Sequence, residues 1–198
     1  MSETGPAEVE KAGAVDLEVG SVPASKATPK PKITGEVSVA TRHVMQANKS
    51  KNTKPELRMR QALREAGYPG YRLHWKKCAG KPDICYPGRK VAIFVNGCYW
   101  HHCPHCNLPV PKKNVDFWVE KFRRNRERDE RNLRLLMEDG WDVVVVWECA
   151  RKGDRLDGCV ADVVRSIELS ALGIHGRSIE AGYGCARKWK TWHKRLRH

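Results

Sequence analysis

The sequence predicts an α/β fold, a mixed central sheet flanked by helices, and three observations carry that expectation. Two short apolar runs, Val91–Val95 and Asp142–Glu148 (DVVVVWE), have the length and β-branched content of buried strands. Between them, Asn114 to about Asp139 places apolar residues at helical spacing (Phe117, Trp118, Phe122, Leu133, Leu136, Met137) around a densely charged middle. Strands that alternate with helices in this way build a layered α/β sheet.

Each element has a local reason. Thr53-Lys54-Pro55-Glu56 reads as a helix start, with Thr53 as the N-cap and Glu56 at the capping-box position. That helix runs to about Ala66, buries Leu57 and Leu63, and can end at Gly67. Two short strands are expected at Tyr71–Lys76 and Pro82–Tyr86, then a turn through Pro87-Gly88 into the strand Val91–Val95. Asn96–Lys113 is a loop rich in Cys, His and Pro. Gly140 closes the long helix, Asp142–Glu148 forms the central strand, and Asp157–Leu172 forms a last amphipathic helix.

Three segments follow. Residues 1–40 lack aromatics and sustained periodicity and are expected to be a disordered tail, because they bury too little apolar surface to offset ordering. Residues 41–167 form the folded domain. Residues 168–198 are a basic, aromatic extension; its end, Cys185–His198 (CARKWKTWHKRLRH), holds six Lys or Arg, two Trp and no acid. Such an arm suits phosphates and base stacking, or it is a solvated tail.

The chain of 198 residues carries +14; residues 1–40 carry −2, so the remaining 158 carry +16. That excess attracts a polyanion, of which nucleic acid is the usual one. No stretch approaches the roughly 20 apolar residues of a membrane helix, and no positive-then-apolar signal opens the sequence, so a cytoplasmic location is expected. In that compartment the eight cysteines point to metal binding rather than disulfides.

Cys98-Tyr-Trp-His-His-Cys103-Pro-His-Cys106 packs three Cys and three His into nine residues, a density suited to tetrahedral Zn²⁺. Cys149, just past the central strand, is placed to supply a fourth ligand and tie the loop to the sheet. His102 or His105 could replace one thiolate. Cys78, Cys85, Cys159 and Cys185 are isolated and suit core or surface positions.

Gly80-Lys-Pro-Asp83 places a carboxylate at a strand end, a suitable ligand for Mg²⁺. Nucleases with a Pro-Asp motif usually continue with an acid, one residue and a lysine on the neighbouring strand. Val91-Ala-Ile-Phe-Val95 has neither. If the chain is a nuclease, a different group must activate water, and His101, beside the cysteines, is the best candidate.

These motifs in order, Lys51-Asn-Thr-Lys-Pro-Glu56, Gly80-Lys-Pro-Asp83, Asn96-Gly-Cys-Tyr-Trp-His-His-Cys-Pro-His-Cys106, Phe117-Trp-Val-Glu-Lys121, Asn125-Arg-Glu-Arg-Asp129 and Gly140-Trp-Asp-Val-Val-Val-Val-Trp-Glu-Cys149, resemble the very short patch repair endonucleases. The resemblance spans roughly Thr41 to Ala150. It implies a restriction-endonuclease-like fold and hydrolysis of the phosphodiester 5′ to the thymine of a T·G mismatch, the lesion left by deamination of 5-methylcytosine. It implies that Asp83 binds catalytic Mg²⁺ with help from the Val95 carbonyl, that His101 is the general base and that Glu56 is a supporting acid. It also implies structural Zn²⁺ on Cys98, Cys103, Cys106 and Cys149, and a wedge of Tyr99, Trp100 and Trp118 in the base stack. Mismatched double-stranded DNA is the implied partner of a monomer that works with other repair proteins. Better-known members carry histidine at the position of Asn96 and commonly threonine at Val95. An asparagine is neither base nor cation there, which weakens a phosphate contact from Asn96, whereas a backbone contact at Val95 is preserved. Two other readings compete: a non-catalytic zinc-stabilised DNA-binding module, and a basic RNA-associated zinc protein. The pairing of Asp83 with His101 favours the enzyme over the first. The aromatic wedge disfavours the second, because RNA binders usually read single strands.

Overall fold

The computed structural model describes residues 51–106, 108–151 and 155–183. The tail 1–40 and the basic arm Cys185–His198 lie outside the described residues. Helix α1 spans Lys54–Glu65, α2 Val115–Glu138 and α3 Arg155–Ala171; the strands are β1 Arg72–Leu73, β2 Ile84–Tyr86, β3 Val91–Asn96, β4 Asp142–Trp147 and β5 Ser178–Ala181. The sheet runs β1-β2-β3-β4-β5. The first two pairings are antiparallel, while β3–β4 and β4–β5 are parallel, so the sheet is mixed.

Local chemistry explains the elements. Thr53 caps α1 in a complete capping box: its side chain accepts the Glu56 N–H, and Glu56 reaches back to the Thr53 N–H. At the other end, Gly67 takes φ +86°, the Tyr68 N–H donates to the Leu63 carbonyl at 2.8 Å and the helix stops. The burial expected for α1 holds at Leu63, whereas Leu57 is half exposed and Met59 is buried instead. All six residues of β4 are buried, which requires cover on both faces of the sheet. Helix α2 packs on β4, and α3 packs on β3, β4 and β5 and against α1.

Three expectations change. The strand foreseen over Tyr71–Lys76 contracts to Arg72–Leu73, because His74 turns into the left-handed region at φ +45° and breaks the pleat. Burial of Val91–Val95 on both faces holds for Val91, Ala92 and Ile93, but Phe94 and Val95 are only partly buried where the strand opens toward the cleft described below. The extension drawn from residue 168 is not separate from the domain up to Tyr183: α3 continues to Ala171, and β5 joins the sheet beside β4. An ion pair guides that return. Asp142, 1% exposed, accepts the Arg177 backbone N–H at 2.9 Å and guanidinium hydrogens at 3.2 and 2.6 Å. A buried carboxylate satisfied in this way is stable where an unpaired one would not be.

Candidate active site and metal centre

A cleft of about 1040 Å³ opens where the N-terminus of α1, the end of β3 and the middle of α2 converge. Its walls include Glu56, Asp83, Val95, Asn96, Trp100 and His101. The turn that delivers Asp83 is tight: Gly80 has φ +71° and Lys81 φ +52°. A Cβ on Gly80 would stand 2.9 Å from Asn132 Nδ2, so the turn presses against α2 and only glycine fits.

Asp83 sits at the entry to β2. Its Oδ2 accepts the Val95 N–H at 2.8 Å, a bond that crosses between the strands, while Oδ1 lies 3.6 Å from His74 Nδ1. Burial raises the Asp83 carboxyl to about 6; the Val95 hydrogen bond lowers it only in part, and the Glu56 charge adds to the rise. The charges of Arg60 and His101 offset this rise only in part, so the ionised carboxylate is under-compensated. That is the environment a divalent cation relieves, and the donor set of Glu56, His74 and Asp83, with ligand atoms within 4.8 Å of one another, fits one. Glu56 has two engagements already. It closes the cap of α1 and accepts Arg60 Nη2 at 2.8 Å, with both residues almost fully buried. Arg60 Nη2 also lies 3.2 Å from His74 Nε2, and Arg60 Nη1 donates to Asn52 at 2.7 Å. Burial lowers the His74 pKa and favours its neutral ring. His74 and Arg60 thus join Glu56 to Asp83, a link that reading the strand as a strand does not reveal.

Across the cleft, His101 Nδ1 lies 2.5 Å from Asp129 Oδ2. The carboxylate accepts the Nδ1–H and leaves Nε2 as the acceptor of the neutral ring, the arrangement of an oriented general base. Asp129 stands one helical turn beyond Asn125, whose side chain donates to the Trp100 carbonyl at 2.9 Å. One face of α2 therefore holds two successive residues of the cysteine-rich loop.

The aromatic residues form one cluster. Tyr99 meets Trp100 at 5.1 Å, Trp118 at 5.4 Å and Phe122 at 5.9 Å between ring centroids. Lys121 Nζ lies 4.8 Å from the Trp100 ring and 5.0 Å from Trp118. Tyr99 and Trp100 are partly exposed, and Trp100 lines the cleft, but Trp118 is only 8% exposed. The structure seats Trp118 beneath the other two rather than beside them.

The four predicted sulfurs converge. Sγ atoms of Cys98, Cys103, Cys106 and Cys149 all lie within 4.8 Å of one another, and Cys103 and Cys149 are 3.6 Å apart. Backbone N–H groups donate to two of them, Cys149 to Cys98 at 3.2 Å and His105 to Cys103 at 3.4 Å. Burial pushes the Cys98 thiol to about 12 and raises Cys103 as well. Burial also pushes Cys149 up, but hydrogen bonds from Tyr183 and the neighbouring thiols outweigh it, and its pKa falls. Four cysteine sulfurs brought this close together fit a tetrahedral dication. His105 is occupied elsewhere, stacked on Tyr183 with Nε2 3.0 Å from Glu180 Oε2, and the His102 ring packs on Phe122 at 5.0 Å. Cys78, Cys85 and Cys159 are buried and free, as their isolation suggested, and Cys185 lies outside the described residues.

A mixed α/β sheet that presents a carboxylate and an oriented histidine across one cleft suits hydrolytic chemistry. The family model described as DNA mismatch endonuclease Vsr matches residues 38–108. The DNA mismatch endonuclease Vsr of Escherichia coli is 34% identical over 66% of this chain and 90% of its own length. The type II nicking enzyme V.XorIIP of Xanthomonas oryzae is 44% identical over 54% of this chain and 79% of its own, and V.NmeAIP of Neisseria meningitidis 40% identical over 58% and 84%. The chain belongs to the Vsr family of DNA mismatch endonucleases. Among the described residues no helix is long and apolar enough to cross a membrane.

Proposed function

We propose that the chain nicks one strand of double-stranded DNA, hydrolysing the phosphodiester 5′ to the thymine of a T·G mismatch, on a restriction-endonuclease-like fold. The observation that carries this reading is the cleft itself. Asp83 and the His101–Asp129 pair share it, and Trp100 forms its rim. His101 Nε2 is the atom that takes the proton of the attacking water, and Asp129 stabilises the imidazolium that results. Asp83, with the Val95 carbonyl, is the anchor for Mg²⁺, which when bound supplies a water of lowered pKa and offsets charge on the phosphate. Glu56 supports Asp83 through Arg60 and His74. Tyr99 and Trp100 wedge into the base stack on the floor that Trp118 provides; unstacking costs a few kcal/mol and least at a mismatch. Asn96 lines the same cleft and is left as a neutral hydrogen-bonding contact for phosphate. Zinc on Cys98, Cys103, Cys106 and Cys149 ties the loop carrying His101 to the end of β4.

The test compares a T·G duplex with its C·G and T·A counterparts, with and without Mg²⁺. A nick in one strand of the T·G duplex alone, and only with the cation, is expected. Tight binding without a nick in Mg²⁺ or Mn²⁺ would instead support a non-catalytic binding module.

A further inference from the structure

Tyr183 follows β5, far from the segment that the family model matches, and none of the motifs discussed above includes it. Its hydroxyl oxygen nevertheless lies 2.6 Å from Cys149 Sγ. Two further side chains engage the ring. His105 stacks on it with centroids 3.6 Å apart and planes 7° apart, while the Arg155 guanidinium stands 6.0 Å from its centroid. The His105 ring is tied in turn to Glu180 on β5 at 3.0 Å. Two residues of the C-terminal segment therefore grip the Cys98–Cys106 loop and the cysteine that follows β4.

The backbone makes this return deliberate. Gly182 takes φ +80°, and a Cβ there would stand 2.5 Å from Cys159 Sγ and 3.2 Å from the Arg155 carbonyl. Its N–H donates to Asp162 Oδ2 at 3.0 Å, which pins the turn to α3. The chain direction after Ala181 is thus set by packing, and it delivers the Tyr183 hydroxyl to one sulfur of the cage.

We propose that Tyr183 is a positioning residue of the cysteine centre, donating its hydroxyl hydrogen to the Cys149 thiolate, and that β5 thereby sets how firmly the centre holds zinc. The inference rests on the zinc reading above. A zinc-bound thiolate has no proton to give, so the hydroxyl must be the donor. Such a bond disperses charge on the sulfur and holds it in place, the role that outer hydrogen bonds play at metal centres generally. His105 acts with it: engaged by Tyr183 and Glu180, the imidazole is kept from competing with Cys103 or Cys106 for the metal.

The test uses the zinc-loaded full chain and follows transfer of zinc to a chromogenic chelator. Tyr183→Phe keeps the ring and its stacking and removes only the donor; about tenfold faster release is expected. His105→Ala removes the stacking partner but leaves the hydroxyl, and a smaller acceleration is expected. Cobalt substitution gives a readout that packing alone would not move: the sulfur-to-cobalt charge-transfer band should shift to lower energy in Tyr183→Phe and stay in place in His105→Ala. A Tyr183→Phe chain that releases zinc at the wild-type rate, with an unshifted band, overturns this inference alone. A wild-type chain that binds no zinc overturns the zinc reading and this inference with it, while leaving the nicking test above independent.

Discussion

Burial raises the Asp83 carboxyl to about 6, from an ordinary aspartate value near 3.8, so the folded chain favours its protonated form. The contribution to stability is complete below pH 4 and is lost as pH rises through about 6, which makes ionised Asp83 a cost of about 3 kcal/mol at most at neutral pH without a cation. Asp83→Asn should therefore melt higher than the parent at pH 7.5 in Mg²⁺-free buffer, with the gap closing near pH 4; equal melting at both pH values would contradict the burial argument. Asp129 invites a second test. Asp129→Asn keeps the shape of the contact but allows the wrong His101 tautomer, so nicking should slow by roughly 100-fold or more with DNA affinity unchanged. Single-turnover rates beside binding curves decide this, and a rate within a few-fold of wild type would remove Asp129 from the site. The grouping of Cys98, Cys103 and Cys106 was legible because their spacing is local, whereas Cys149, Asp83 and His101 were singled out by the order of the motifs along the chain. Asp129 sat inside a motif already noticed, but only the fold shows that the face of α2 it shares with Asn125 meets the loop of His101. His74 was hidden because a histidine in a short alternating run (YRLHWK) looks like any strand residue until its positive φ is seen.

Elements with strong periodic or apolar patterns were foreseen almost to the residue: α1, α2, β3 and β4 all stand within a position or two of expectation. β5 was missed for a physical reason. Ser178–Ala181 (SIEA) is four residues long, with a single large apolar side chain, and its strand conformation comes from β4 and from the Asp142–Arg177 pair rather than from its own sequence. The turn before β2 carries its own prediction. Gly80→Ala needs a strained φ and meets Asn132, so it should cost about 1–3 kcal/mol and shift Asp83; thermal melting and Mg²⁺ titration of nicking together read both. A neutral Gly80→Ala would mean that the turn can slide off α2. For the aromatic cluster, Trp100→Ala should lower the preference for T·G over paired duplex, since stacking contributes about 1–3 kcal/mol per base in single-strand binders. Equal losses on both duplexes would make Trp100 a packing residue.

At the scale of the whole molecule, two long-range ties hold the cleft together. The cysteine cage links the loop after β3 to the end of β4, and the Arg60–Glu56–His74 group links α1 to Asp83. Removal of zinc should unfold the domain rather than slow it, because structural zinc stabilises small sites by about 10–16 kcal/mol in peptide models. Cys149→Ser should act in the same direction, and metal analysis alongside melting checks both: loss of zinc with an unchanged melt would refute the structural role. The charge of +16 outside residues 1–40 predicts binding that weakens steeply with salt, by about 0.9 in log K per log salt for each phosphate contacted. Enzyme and binding module share all of this, and Asp83 separates them. The most direct measurement places wild type and Asp83→Asn on the same T·G duplex in Mg²⁺, with nicking and binding followed in one experiment. The account predicts that wild type nicks the strand 5′ to the mismatched thymine, while Asp83→Asn binds as well or better, because one negative charge facing phosphate is gone, and cuts nothing. A nick that survives in Asp83→Asn would move the active site elsewhere.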